Sequence, residues 1–223
     1  MKKLTVLALA GAVMLFTACN EKAKDSVKDA QEVAAKTGDA YKVDLTTSKV
    51  DWKAFHKGGF APRWGTLSLK SGEITIEHDA ITSGDFVIDM ATLKVDPASV
   101  TEADKKPADL EAHLKNADFF NVAQNPTSDF KITAVADLAG DLPKNAVAGA
   151  NKTVSGNLTL LGKTLNVSFP AKVTVAEGKA AIEAKFTVNR TDWGIKFGTD
   201  ETDPAEWMIS KDIEIGINVN ATK

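Results

Sequence analysis

The chain has 223 residues, 43% of them hydrophobic and 26% charged, the profile of a folded globular domain and not of a disordered tail. Its 27 basic and 30 acidic residues give a net charge of −3, which excludes the strongly basic surface that a nucleic-acid partner requires. A single cysteine, Cys19, excludes an internal disulfide.

The N-terminus reads as an export signal. Lys2 and Lys3 precede an apolar run from Leu4 to Phe16, and Thr17 and Ala18 lead to Cys19. A basic start, a short apolar core and small residues before a cut site make a signal too short to be a spanning helix. Phe16 to Cys19 resembles a bacterial lipobox, which implies that residues 1–18 are removed and that Cys19 is lipidated. The expected location is therefore the cell envelope, anchored to a membrane. Asn20, by resemblance to proteobacterial sorting, favours the outer membrane. Loss of Lys2 and Lys3 lowers the net charge to −5. Residues 19–40 read as a flexible tether, because Val27, Ala30, Val33 and Ala34 have helical spacing but offer too thin an apolar face to anchor a core.

From Tyr41 onward the dominant period is two. Tyr41, Val43 and Leu45 alternate with polar residues, and Val50, Trp52 and Ala54 do so again after a Thr/Ser turn. Residues 57–64 (KGGFAPRW) form a loop. Leu67 and Leu69 predict a strand, Ser71 and Gly72 a turn, and Ile74 and Ile76 the returning strand. Phe86, Ile88 and Met90 share one face of a longer strand. Between Ala98 and Asn121 the alternation stops, and Pro107 followed by Leu110, Glu111, His113 and Leu114 predicts a short helix with proline in its first turn.

Phe130 and Ile132 resume the strands, and a Gly/Asp/Pro loop covers Gly140 to Asn151. Val154 to Val175 then reads as a hairpin with one apolar face, interrupted at Leu161, Gly162 and Lys163; Pro170 is expected to end or bulge its second strand. Ile182, Ala184, Phe186 and Val188 give another strand, and Ile213, Ile215, Ile217 and Val219 close the chain with near-perfect alternation. One hairpin cannot cover its own apolar face. Short strands, tight turns and one helical interruption predict an antiparallel sheet that curls into a barrel of about eight strands, with one short helix in a long connection. Closure removes the exposed edges of a flat sheet.

Catalytic patterns are weak. His56, His78 and His113 lie in separate segments, and no metal-ligand spacing, nucleophile elbow or phosphate loop occurs. Glu111 with His113, and Arg190 with Asp192, can be drawn as acid/base pairs, but a helix face and a turn salt bridge explain them better.

Taken together, these segments resemble the YceI-like family of bacterial lipocalin-like, polyisoprenoid-binding proteins. The resemblance is carried by Tyr41 to Trp52 (YKVDLTTSKVDW), Phe86 to Leu93 (FVIDMATL), Leu110 to Val122 (LEAHLKNADFFNV), Pro126 with Phe130 and Lys131, Val154 to Gly162 (VSGNLTLLG) and Val188 to Ile195 (VNRTDWGI). It spans residues 41–223. Three positions depart from the pattern: Thr47 stands where a histidine often precedes the serine, Leu110 replaces an arginine, and Glu111 replaces its aspartate partner.

The resemblance implies an apolar channel that holds an isoprenoid chain, a quinone-like molecule or another long-chain amphiphile; from the weak catalytic patterns, no other cofactor, no metal and no catalysis are expected. Trp52, Phe86, Ile88, Phe130, Leu158, Phe169, Phe186 and Trp193 are the candidate lining residues, and Phe119 and Phe120 the candidates to cap one mouth. The expected partners are that lipid and, through the anchor, a membrane. Alternation reports burial and not emptiness, so the residues by themselves fit a filled interior equally well. A protein that uses the outside of the barrel as an adhesin or a stress-related structural element is the competing reading.

Overall fold

The computed structural model describes residues 26–204 and 207–223. The expected signal segment, Cys19 and Asn20 lie outside the described residues. In chain order the elements are β1 (Ser26–Asp29), β2 (Asp39–Val43), β3 (Lys49–Ala54), β4 (Arg63–Glu77), β5 (Ala80–Val95), α1 (Pro107–Lys115), β6 (Thr127–Asp137), β7 (Lys152–Leu160), β8 (Lys163–Ala176), β9 (Lys179–Asn189) and β10 (Asp212–Thr222).

All pairings are antiparallel, and neighbours run β8, β7, β6, β5, β4, then β2 and β3, then β10 and β9, which returns to β8. β2 and β3 share one position. β2 bridges the ends of β4 and β10 through Tyr41 opposite Ile74 and Val43 opposite Ala221, and β3 bridges their other ends through Trp52 opposite Gly65 and Ile215. The result is a closed eight-stranded barrel whose inward rows meet in one apolar core.

Three turns keep the hairpins tight. His78 and Asp79 at φ 51° and 60°, Leu161 and Gly162 at φ 50° and 72°, and Glu177 and Gly178 at φ 51° and 71° form two-residue connections whose left-handed backbone matches the twist of the strands. Gly162 was legible as a turn residue, whereas the His78–Asp79 turn was not.

Three expectations are corrected. Ser71 and Gly72 are not a turn, since β4 runs straight through them. Its apolar residues change parity there, from Leu67 and Leu69 to Ile74 and Ile76, and a bulge between Leu69 and Ser71 supplies the odd step that keeps both pairs inside. Gly72 is needed because a Cβ would lie 2.7 Å from Val43 Cγ2. Pro170 neither ends nor bulges β8; it pairs with Thr153, and the strand continues to Ala176. On the other edge, β1 pairing stops at Ser168 and β9 pairing starts at Ala171, so no ladder there needs the missing N–H of proline.

The third correction concerns the described part of the tether, residues 26–40. β1 pairs with β8, placing Val27 opposite Val167. Beyond it, the Gln31 N–H donates to Asn157 Oδ1 at 3.0 Å, Asn157 Nδ2 donates to the Gln31 carbonyl at 2.7 Å, and the Ala34 N–H reaches the Ile132 carbonyl at 3.0 Å. Asn157 and Asn166 point outward by alternation yet are buried beneath this segment, with Asn166 Nδ2 donating to Asn157 Oδ1 at 3.0 Å. The helical spacing is outweighed because these amides satisfy the backbone in an extended form. Among the described residues no helix is long and apolar enough to cross a membrane.

Candidate functional site

The lumen divides into two spaces of unequal size. Inward residues at one end of the strands, Trp52 on β3, Leu67 on β4, Leu93 on β5 and Ile213 on β10, line a cavity of about 390 Å³. Further along the same strands, Val50, Leu69, Ile88 and Ile217 surround a void of about 50 Å³.

The larger space is roofed by α1 and the residues flanking it. Proline at its first position has a preset backbone and no N–H to lose, Asp109 sits in the first turn, and His113 and Lys115 sit in the last, where each suits the helix dipole. Leu110 and Leu114, one turn apart, face the cavity. Glu111 fixes the helix to the barrel rim. Its carboxylate accepts the Val95 N–H at 3.0 Å and Lys94 Nζ at 3.2 Å, and these bonds, the backbone one first, hold its carboxyl below the usual glutamate range.

Past the helix, Phe119 packs edge-on with His113 at 5.0 Å between ring centres and lies 5.2 Å from Phe197, which itself meets His113 at 4.9 Å. Arg190 closes this side. It is 2% exposed and donates to three backbone carbonyls, those of Ser210 at 2.9 Å, Ile195 at 2.9 Å and Ile209 at 3.1 Å. Its guanidinium lies 6.0 Å from the Phe119 ring centre, and burial pushes its pKa down from the usual arginine value. The rim carries Lys105, Lys106 and Arg63; Arg63 donates to the Ser99 carbonyl at 2.8 Å and to the Glu102 carboxylate, tying the start of β4 to the loop before α1.

The sequence-predicted residues fall into three groups. Trp52, Phe119 and Phe120 line the large cavity. Phe86, Ile88, Phe130 and Phe169 surround the small void. Leu158, Phe186 and Trp193 border neither space: Leu158 packs on the core, Phe186 stacks on Phe169, and Trp193 is buried with its indole N–H donating to the Leu158 carbonyl at 3.1 Å. Sequence reasoning missed Leu67, Leu93, Leu110, Leu114, Ile209 and Ile213 as lining residues. Alternation flagged Leu67 and Ile213 as inward but could not say what they face.

The drawn acid/base pairs do not form. Glu111 is engaged by Val95 and Lys94, while His113 Nε2 lies 3.1 Å from Asp118 Oδ2. Arg190 is satisfied by carbonyls, and the backbone carbonyl of Asp192 accepts from Lys163. Among the described residues no group of three His, Cys, Asp or Glu is placed to hold a metal ion.

Comparison with known proteins agrees with this architecture. A UPF0312 protein of Serratia proteamaculans is 28% identical over 232 aligned positions covering 100% of this chain and 99% of its own. Another from Pseudomonas putida is 30% identical over 165 residues, 70% of this chain and 76% of its own. Among solved structures, BcnA of Burkholderia cenocepacia superposes with a TM-score of 0.57 at 20% identity, covering 81% of this chain and 99% of its own. A polyisoprenoid binding domain from Saccharophagus degradans superposes with a TM-score of 0.52 at 15% identity, covering 86% and 99%. Both share the fold. The YceI-like domain model matches residues 41–221, from the first barrel strand to the last, and the chain belongs to the YceI-like family.

Proposed function

We propose that this is an exported barrel, anchored in the bacterial envelope through a lipidated Cys19, which holds the apolar tail of an amphiphile for carriage or storage. The outer membrane is the favoured site of the anchor. The observation that carries the reading is the 390 Å³ cavity, which lies within the range of ligand pockets and is walled mainly by aliphatic and aromatic side chains inside a closed barrel. The name of the Saccharophagus neighbour, a polyisoprenoid binding domain, supports an isoprenoid or similar tail.

Energetics favour the tail over the head. Each methylene that leaves water contributes about 0.8 kcal/mol before ordering costs. A chain of modest length therefore outweighs a single hydrogen bond to a headgroup, worth about 1 kcal/mol net. Catalysis has no part in this reading, because Glu111 and His113 are each engaged by other partners.

The test is to purify the full-length protein from bacterial envelopes and extract it with organic solvent. Mass spectrometry is expected to find a long-chain amphiphile in the wild type, and less of it in a variant whose cavity is filled by Leu110→Trp. Equal lipid in both, or none in either, would sink the proposal. Cys19→Ala is expected to release the protein from the membrane fraction without emptying the barrel.

A further inference from the structure

We propose that the end of the barrel at the large cavity docks on a lipid bilayer through Phe60, Phe197 and Trp207, so that a tail passes between cavity and membrane without crossing water. The inference rests on the reading that the cavity holds an apolar tail and that Cys19 carries the anchor, and adds the surface through which the tail arrives.

Three loops are knitted together at this rim. The His56 backbone bridges to Ile209, the Lys57 N–H donates to the Met208 carbonyl at 2.8 Å, and the Ser210 N–H donates to the Phe55 carbonyl at 2.8 Å. On the other side of Ile209, its N–H donates to the Gly198 carbonyl at 2.8 Å. His56, Ile195 and Ile209 line the cavity, so the residues beside them stand at its edge. Phe60 stacks on His56 with ring centres 5.5 Å apart, Phe197 packs on Phe119 and His113, and Trp207 precedes the buried Met208.

These three rings nevertheless face water, with Phe60 and Phe197 43% exposed and Trp207 68%. Among the described residues the other exposed large hydrophobics are aliphatic and lie elsewhere: Val33 before β2, Leu45 between β2 and β3, and Leu142 between β6 and β7. All the exposed aromatic rings therefore gather at the one end where the apolar cavity is found. Clustered exposed apolar groups mark an interaction surface, and aromatic rings favour the boundary between water and lipid. Charge at this rim is mixed, since Lys105 and Lys106 stand beside Asp104 and Asp109, and Lys196 is followed by Asp200 and Glu201. The attraction is therefore apolar and does not depend on anionic lipid.

The anchor places a bilayer within reach of this end. Cys19 lies seven residues before Ser26, so at about 3.6 Å per residue its lipid lies no farther than about 25 Å from β1. Lys163, at the start of β8, donates to the Asp192 carbonyl, two residues from the cavity residue Arg190, so the start of β8 belongs to the cavity end. Ser26 is opposite Ser168, five residues from Lys163 and eight from Ala176 at the far end of β8. At about 3.3 Å per residue these distances are about 17 Å to the cavity end and about 26 Å to the other. The tether covers the first with chain to spare and falls short of the second.

The test anchors the lipidated full-length protein in phosphatidylcholine vesicles whose acyl chains carry bromine, a quencher confined to the bilayer. The fluorescence of Trp207 is the difference between wild type and Trp207→Phe. That difference is expected to be lost to the brominated lipid and protected from aqueous iodide, in low and high salt alike. In a second readout, a fluorescent fatty acid loaded into the cavity passes to a labelled lipid of the same vesicles. Phe60→Ser combined with Trp207→Ser is expected to slow this delivery at least about tenfold, with the equilibrium affinity for the probe unchanged because neither side chain lines the cavity. A Trp207 signal open to iodide and untouched by bromine, or equal delivery rates in both proteins, would overturn the proposal. Protection from iodide that grows with protein concentration and ignores bromine would identify a second copy as the occupant and overturn it as well. Failure of the probe to bind the wild type would remove the parent reading and the delivery step, while bromine quenching still decides the docking. Absence of acyl chains on Cys19 by mass spectrometry would remove the anchor, and the same quenching is then read on protein added to the vesicles from solution.

Discussion

Val50 and Trp52 lie two residues apart on β3 and face the same way, yet Val50 looks onto a void of about 50 Å³ and Trp52 onto a cavity of about 390 Å³. The walls are the same eight strands. What differs is the filling. On the Val50 side four phenyl rings from β5, β6, β8 and β9 cross the lumen and pack on one another. On the Trp52 side the barrel is capped from above by α1 and Phe119, and among the described residues only Trp52 borders the cavity with a ring from a strand. An eight-stranded barrel can be just filled by its own side chains or hold one small ligand, and this one divides the two outcomes along its axis. The filled half provides stability, and the open half provides capacity.

This division can be broken most directly in the filled half. Phe169 is 2% exposed and touches rings on both sides, so Phe169→Ala should cost about 3–5 kcal/mol of unfolding free energy, measured by urea denaturation. A loss under about 1 kcal/mol would mean that the rings are loosely held and that this half of the lumen is not packed.

Leu110→Trp provides the opposite case. Leu110 is half-buried on the face of α1 turned to the cavity, so a larger apolar side chain has space to occupy and should change stability by less than about 1 kcal/mol. The same variant should weaken binding of a fatty-acid probe at least about tenfold, which is about 1.4 kcal/mol. A stability loss equal to that of Phe169→Ala, or unchanged probe binding, would erase the distinction between the halves.

The sequence made the wall legible and left the contents hidden. Period-two alternation located Phe86, Phe130, Phe169 and Phe186 on inward faces, because burial of one strand face is a one-dimensional signal. It could not separate Trp52, which borders open space, from Phe186, which stacks on a ring, since that depends on which strand comes opposite. The parity change within β4 looked like a turn because a bulge and a Ser-Gly turn leave the same local trace. β1 was missed for a different reason. Four residues, SVKD, carry too little pattern to predict a strand, and their pairing with β8 rests on partners more than 100 residues away. The roof was half legible: Pro107 and the Leu110/Leu114 spacing marked the helix, while nothing local indicated that it would cover a cavity.

The roof gives the finest test of the comparison, because the open half is held by polar ties where the filled half is held by rings. Arg63 donates to Glu102, and Lys105 joins the same carboxylate at 3.2 Å. A hydrogen bond from its own backbone amide, followed by those from Lys105 and Arg63, holds the Glu102 carboxyl at about 2, below its ordinary 4.5. A carboxylate whose pKa is lowered on folding stabilises the fold fully above its unfolded value and loses that contribution as pH falls through the folded one. The wild type should therefore melt slightly above Glu102→Gln at pH 7, keep that margin down to about pH 4.5, and lose it as the pH approaches 2. The margin is small because the group is near solvent, where screening weakens ion pairs, and added salt should narrow it further. Phe169→Ala and its wild type should instead keep a constant gap across the same pH and salt range, since no charge contributes to that layer. If the Glu102→Gln margin ignored both pH and salt, the loop would be held by packing, and the two ends of the barrel would not differ in the kind of force that closes them.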